Sequence, residues 1–383
     1  ITRNPINMSY FFTSESVSEG HPDKVADAIS DAVLDSFMQY KDTSQRCACE
    51  TLVTTNQVIV AGEYKGHLDN LDVEYLVRRV VKNIGYEQEG FHWQNLTVTN
   101  LMHGQSPDIA LGTDNFGAGD QGIMFGYANK DTDSYMPAPL YYSHRITEAL
   151  TSVRKQNIIP WLEPDAKSQV TVEYNDDNSI KRIAKIVCST QHSDQVHIDT
   201  VRSNVQEIIL QVIPAELIDD KTEFLINPTG RFVVGGPDGD TGLTGRKIIV
   251  DTYGGLAPHG GGAFSGKDPS KVDRSAAYMA RYLAKNLVAS GKADWATIQL
   301  SYAIGVEQPT SLYVESDRDS RKLTKWIEEN VDLSPKAIID RFDLFSPIYS
   351  STTNYGHFGK DYLPWEQVNL FPAETKTKKS KTK

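Results

Sequence analysis

The chain has 383 residues, a length that predicts two or three domains of roughly 150 residues each rather than one core. Hydrophobic residues make up 39% and charged residues 23%, mean hydropathy is −0.41, and no run approaches the ~20 apolar residues of a spanning helix, which excludes an integral membrane protein. With 39 Lys+Arg against 50 Asp+Glu the formal net charge is −11, so the bulk field repels nucleic acid and anionic lipid, and any anion site must be made locally.

The opening ITRNPINMSYFF has no long apolar run ending in a small-residue cleavage site, so a cytoplasmic protein is expected. Pro22 then opens a helix with acids in its first turn and an apolar face at Ala26, Ile29, Val33 and Phe37, presenting His21 and Asp23 at its N-terminus. CETLVTT and QVIVAGEY read as strands around Asn56, followed by a helix near Val73 to Ile84. Cys47 and Cys49 lie too close for an ordinary disulfide, and with Cys188 they cannot all pair, which fits a reducing compartment. After a Gly, Asp and Asn-rich stretch from Gly104 to Gly122, QVTVEY and IAKIVCST flank the turn-forming run Asn175 to Asn178. The last third repeats the mixture, with KIIVDTY and TIQLSYAI as strands and Ser275 to Ala289 as a helix. Three α+β units are expected, without a fixed-period repeat in the letters, so any internal symmetry is structural. AETKTKKSKTK, with five lysines in the last eight residues, reads as a disordered tail.

The compositional anomaly is Arg231 to Arg274, where 11 of 44 residues are glycine. So many glycines imply that something approaches this backbone closely. Arg231, Arg246, Lys247, Lys267, Lys271 and Arg274 set six bases against five acids there, a local anion site in an acidic chain. Within it GGAFSGKD carries the G-x4-G-K half of a P-loop, in which backbone N–H groups and a lysine cradle phosphates, but Asp268 stands where Ser or Thr belongs. A polyphosphate brings Mg2+, for which Asp23 and Asp273 are the candidates; each starts a helix beside a base, Lys24 or Arg274, the pattern of a metal ligand set among phosphate contacts. From spacing alone both aspartates read first as helix caps. His21 is placed to reach the same anion, although a lone histidine is as readily structural. GAGDQG fits G-x-G-x-x-G, but no strand precedes it and IMFGY does not continue as a helix, so it is not a dinucleotide fingerprint. No G-x-S-x-G, H-E-x-x-H or zinc-spaced Cys/His set occurs. Read this far, the chain is an ATP-dependent phosphotransferase, an NTPase, or a nucleotide-binding relative without turnover.

GHPDK, GAGDQG, PDAKSQV, INPTGRFVVGGPDGDTGLTGRK and GGGAFSGKDPSKVDRSAAY, in this order, resemble the S-adenosylmethionine synthetase family from about Phe11 to Trp365. The resemblance implies a pseudo-threefold α+β fold, with domains at 9–107, 117–233 and 234–372 and a basic tail at 373–383. It implies a cytosolic homo-oligomer, commonly a tetramer of dimers, with active sites between subunits and no nucleic-acid or membrane partner. The implied reaction joins ATP and L-methionine: sulfur attacks C5′, and the displaced triphosphate is cleaved to orthophosphate and pyrophosphate, with two Mg2+ and one K+. By similarity His21, Lys167, Arg246, Lys267 and Lys271 are catalytic. Arg231, Phe232, Asp165, Asp240, Lys247 and Ala263 join them around ATP, with Phe232 stacked on adenine and Asp165 near the ribose. Glu63, Gln105, Asp120, Asp240 and Lys271 surround methionine, Asp23 and Asp273 hold Mg2+, and Glu50 is a K+ ligand. The stretch after Gln105 corresponds to the family's lid and is shorter than in several bacterial members, lacking an acidic insertion before GAGDQG.

Overall fold

The computed structural model describes residues 9–66, 71–105 and 117–371. The basic tail and most of the lid stretch lie outside them. Strand β1 (Tyr10–Val17) comes first, then helix α1 (Pro22–Met38), with His21 as its cap and Ala26, Ile29, Val33 and Phe37 buried as expected. α1 packs on the antiparallel hairpin β2 (Arg46–Thr54) and β3 (Gln57–Lys65), whose two-residue turn holds Asn56 at φ 52°, a left-handed conformation that asparagine tolerates. Helix α2 (Val73–Ile84) falls where the periodicity placed it. A small hairpin, β4 (Glu87–Gln88) and β5 (Phe91–His92), leads to β6 (Thr97–Gly104), parallel to β3.

The same order then returns twice, the last time without a closing parallel strand among the described residues. The second pass is β7 (Gly122–Asn129), α3 (Ala138–Lys155), the hairpin β8 (Leu162–Tyr174) and β9 (Ile180–His192), α4 (Ile198–Val212), and β10 (Glu223–Ile226) parallel to β9. The third is β11 (Gly242–Leu243), the single turn α5 (Ile248–Asp251), α6 (Val272–Ala289), the hairpin β12 (Trp295–Tyr302) and β13 (Ser311–Ser316), α7 (Ser320–Asn330) and α8 (Pro335–Phe342). Each pass opens with a strand that lies in the next sheet: β1 pairs with β8, β7 with β12, and β11 with β2. The three sheets, β1-β8-β9-β10, β13-β12-β7 and β11-β2-β3-β6, are thus laced into a ring, each over its own apolar core.

Two features depart from the sequence expectation. KIIVDTY is not a strand: Val250 and Asp251 are buried in succession while Ile249 is exposed, which no alternating strand allows, and Asp251 N donates to Lys247 O at 2.9 Å to close a helical turn. β1 carried no strand signal because its inward positions are serines. Ser16 is fully buried and shares a hydrogen bond with His144 Nδ1 at 2.7 Å, and Ser14 Oγ donates to Gly254 O at 2.8 Å.

Candidate active site

Asp23, Asp27, Asp31 and Asp35 recur at four-residue intervals along α1 and share one of its faces. That face takes up backbone N–H groups from the last third of the chain. Asp23 accepts from Leu243 N at 3.0 Å, Asp27 from Gly245 N at 2.8 Å, Asp31 from Gly266 N at 2.9 Å, and Asp35 from Tyr349 N and Ser350 N at 2.9 and 2.8 Å. The approach is close enough that a Cβ at Gly242 would lie 2.2 Å from the Pro22 carbonyl.

Neither Asp23 nor Asp273 caps its helix, which corrects the capping expectation. α1 is capped by His21, whose Nδ1 accepts from Asp23 N at 3.1 Å, and α6 has no side-chain cap. Each carboxylate has a stronger, charged partner instead: Lys247 Nζ donates to Asp23 Oδ2 at 2.6 Å, and Lys267 Nζ to Asp273 Oδ2 at 2.6 Å.

The first centre contains His21, Asp23, Asp165, Lys167, Asp240, Arg246 and Lys247. Arg246 Nε lies 3.9 Å from Asp23 Oδ1. Burial, aided by Lys247 and Lys167, pushes the His21 imidazole down to about 3, so the ring is neutral at pH 7. Because Nδ1 accepts a hydrogen bond, the ring proton sits on Nε2, which is a donor. Burial alone raises Asp23, but the Lys247 and Leu243 hydrogen bonds outweigh it and hold the carboxyl below its ordinary value. Asp165 is pushed up to about 6 by burial, opposed by Gly236 N, which donates to Oδ2 at 2.9 Å, and by Lys167. Its Oδ1 is buried with no hydrogen-bond partner among the described residues.

The second centre contains Glu50, Glu63, Lys267 and Asp273, with Ala263 and Lys271 alongside. Glu50 stands opposite Ala61 and Glu63 opposite Ala48 on the β2–β3 hairpin. Burial raises the Glu50 carboxyl, Lys267 opposes this and Glu63 adds to it, and Lys267 bridges to Ala48, opposite Glu63 on the hairpin. A Cβ at Gly262 would lie 2.3 Å from Asp273 Oδ1, so glycine is what lets this loop pass the carboxylate. Lys271 Nζ donates to the buried Asp268 Oδ2 at 2.6 Å. A Cβ at Gly245 would come within 2.5 Å of Ala263 Cβ, so the loops of the two centres touch.

The remaining candidates are less converged. Gln105 N donates to Tyr64 O at 2.7 Å at the end of β6, next to Glu63, and its Oε1 is buried with no hydrogen-bond partner among the described residues. Asp120 is exposed, two residues before β7, whose first residue Gly122 faces Asp273. Phe232 is half-buried and belongs to none of the three cores, so it is not an ordinary core ring. Its N donates to His192 Nε2 at 3.0 Å. Arg231 is paired at the surface with Asp194, Nε to Oδ1 3.0 Å, rather than with either centre.

Two further expectations are corrected. In GGAFSGKD the N–H groups of Gly261, Gly266 and Lys267 already donate to His259 Nδ1, Asp31 and Phe264 O, which narrows the phosphate-cradle reading to Lys267 and the N–H groups of 262–265. Lys24 and Arg274 are not phosphate contacts: both are fully buried against carboxylates. Sequence reading missed Asp27, Asp31 and Asp251; for the first two, the four-residue recurrence of aspartate on an otherwise apolar helix was the available signal.

Fold and site define a pseudo-threefold α+β protein with paired carboxylate–ammonium centres at two helix N-termini. The N-terminal, central and C-terminal domain families of S-adenosylmethionine synthetase match residues 9–107, 115–232 and 234–367. The S-adenosylmethionine synthase of Rhodospirillum centenum is 54% identical over 380 residues, covering 95% of this chain and 98% of that protein. That of Granulibacter bethesdensis is 54% identical over 384 residues, covering 95% and 97%. The chain belongs to the S-adenosylmethionine synthetase family.

Proposed function

We propose that the chain is a methionine adenosyltransferase: it converts ATP, L-methionine and water to S-adenosylmethionine, orthophosphate and pyrophosphate. One observation carries the reading: in a chain whose residues 9–107, 115–232 and 234–367 match the family, Arg246 and Lys247 gather at Asp23 and Lys267 at Asp273, each aspartate at a helix N-terminus. A leaving triphosphate carries about four negative charges, and preorganised donors in a partly dry site are the largest available source of transition-state stabilisation. His21 Nε2–H, Lys167, Arg246, Lys247 and Lys267 supply them, with Lys271 beside them. Phe232 stacks on adenine, flanked by Arg231, with Ala263 close to the nucleotide, and the unpartnered Asp165 Oδ1 accepts from a ribose hydroxyl. Glu63, Gln105, Asp120 and Asp240 orient methionine through its charged ends.

The aspartates fit a hard divalent cation, since carboxylate oxygens already stand within 2.6 Å of a cationic group. Among the described residues no group of three or more His, Cys, Asp or Glu forms a cage, as suits an ion completed by phosphate oxygens and water. We assign Asp23 and Asp273 to two Mg2+ and Glu50 to K+; when bound with ATP, the metal neutralises charge on the leaving triphosphate. We also read the chain as three domains divided near residues 107–117 and 233, acting as a cytoplasmic homo-oligomer, a tetramer with sites shared between subunits. Three buried free thiols agree with a reducing compartment.

The test is incubation with ATP, L-methionine, Mg2+ and K+, with products followed by mass spectrometry and phosphate release against a no-methionine control. Methionine-dependent S-adenosylmethionine with orthophosphate and pyrophosphate is expected. ADP, or nucleotide binding without turnover, overturns the reading.

A further inference from the structure

We propose that Lys24 and Arg274, the bases directly after Asp23 and Asp273, are positioning residues: each turns inward and fixes the stretch of chain whose lysine pairs with the preceding aspartate. The inference rests on the functional reading above only for its activity readout.

Lys24 is fully buried. Its Nζ donates to Asp251 Oδ1 and, at 2.7 Å, to Thr353 O, and stands 3.2 Å from Asp27 Oδ2. Asp27 Oδ1 in turn accepts from Gly245 N at 2.8 Å, while Asp251 N closes the α5 turn on Lys247 O at 2.9 Å. One ammonium therefore ties down residues 245 and 251, on both sides of Arg246 and Lys247. Arg274 repeats this at the second centre. It is fully buried, clasps Asp31 at 2.7 and 3.1 Å, and donates to Phe264 O at 2.9 Å and Lys267 O at 3.2 Å. Asp31 itself accepts from Gly266 N at 2.9 Å, so Arg274 holds residues 264 to 267, the stretch that ends on Lys267. Both bases also reach one turn, Lys24 through Thr353 O and Arg274 through Thr352 Oγ1 at 3.2 Å, which joins the two brackets.

The symmetry favours a role beyond filling space. α1 and α6 each place aspartate second and a base third, and in both the aspartate meets its lysine at 2.6 Å while the base is buried behind it. A buried ion pair is a poor way to gain stability compared with apolar side chains of similar volume, whereas it does fix geometry. A shift of about 1 Å in a reacting group is enough to cost about 10²-fold in rate.

Two variants separate positioning from packing. Lys24→Met leaves two buried carboxylates unpaired and is expected to lose both melting temperature and activity. Lys24→Met/Asp251→Leu replaces that pair with apolar groups and leaves only Asp27 without its ammonium, so it is expected to regain part of the melting temperature while kcat stays about 10²-fold low and KM for methionine changes less than about twofold. Calorimetric binding of inorganic tripolyphosphate with Mg2+, expected about tenfold weaker in the double variant, needs no turnover; it decides the inference even if the parent makes no S-adenosylmethionine. A double variant with parental kcat and tripolyphosphate affinity overturns the proposal. Should the double variant not regain melting temperature, Arg274→Lys decides. It keeps the charge but loses the two-pronged hold on Asp31, so reduced kcat at parental melting temperature is expected, and parental kcat overturns the proposal.

Discussion

The two centres use one local arrangement in different surroundings. At each, aspartate is the second residue of a helix, a lysine from the glycine-rich stretch meets it at 2.6 Å, and a buried base follows. The Asp23 side chain is only 4% exposed, and its centre draws on α1, β8 and the loop around β11; the Asp273 side chain is 25% exposed and lies against Gly122 and Gly262. A charge pair in the drier setting is worth more and is costlier to break, whereas a half-open pair can part and exchange its cation. The first centre is therefore built as a fixed anvil and the second as an adjustable one.

Breaking each pair on its lysine side tests this most strongly. Lys247→Ala and Lys267→Ala should each lower kcat by about 10²–10³-fold, the scale of one lost electrostatic donor. Only Lys247→Ala should also destabilise the fold, by about 1–3 kcal/mol, because it strands a buried carboxylate. Thermal denaturation with steady-state assays reads both, and a parental melting temperature for Lys247→Ala would remove the distinction. Next in size is Asp273→Asn, for which the Mg2+ concentration giving half-maximal rate should rise about tenfold with little change in melting temperature, as expected of a half-exposed metal ligand. An unchanged Mg2+ titration would return Asp273 to a purely structural part. Gly262→Ala sharpens the same point: its Cβ would stand 2.3 Å from the Asp273 carboxylate, so a backbone shift costing about 1–3 kcal/mol should accompany lower activity.

What the sequence could carry was the second centre's chemistry and the outline of the modules. Glycine density, the six bases, and the periodicity of α1, α2 and α6 are local signals, and they fell where local signals should. The lacing of β1, β7 and β11 into neighbouring sheets was not legible, because pairing over more than a hundred residues leaves no mark on spacing, and β1 hides its inward face behind serines. KIIVDTY failed for a related reason: a β-branched run reads as a strand until a buried Asp251 with a fixed ammonium partner closes it into a turn. Lys24 and Arg274 looked like phosphate ligands because composition gives charge but not direction. Only the fold reveals that in HPDK and KVDR the aspartate meets a lysine of the glycine-rich stretch while the base after it is buried.

The smallest predicted effect concerns acid. Burial, with neighbouring lysines, pushes His21 and His144 down to about 3, and burial with Arg274 and Lys24 drives His357 well below its ordinary value. A histidine whose folded value lies below the unfolded 6.5 binds its proton more readily in the unfolded chain, so stability is whole above pH 6.5 and falls as pH drops toward the folded value. Each of the three should cost about 1 kcal/mol between pH 6.5 and 5.5, and the losses should add in urea midpoints measured across that window. His144→Gln keeps a polar partner for Ser16 without a titrating ring, so the loss between pH 6.5 and 5.5 should shrink by about 1 kcal/mol. An unchanged slope would mean that His144 takes up its proton inside the folded chain, and that the β1–α3 contact is wetter than its burial implies. At the first centre the same measurement on His21→Gln carries more, since a slope that survives there would mean an imidazolium beside Lys247 and would remove the neutral Nε2–H donor from the anvil.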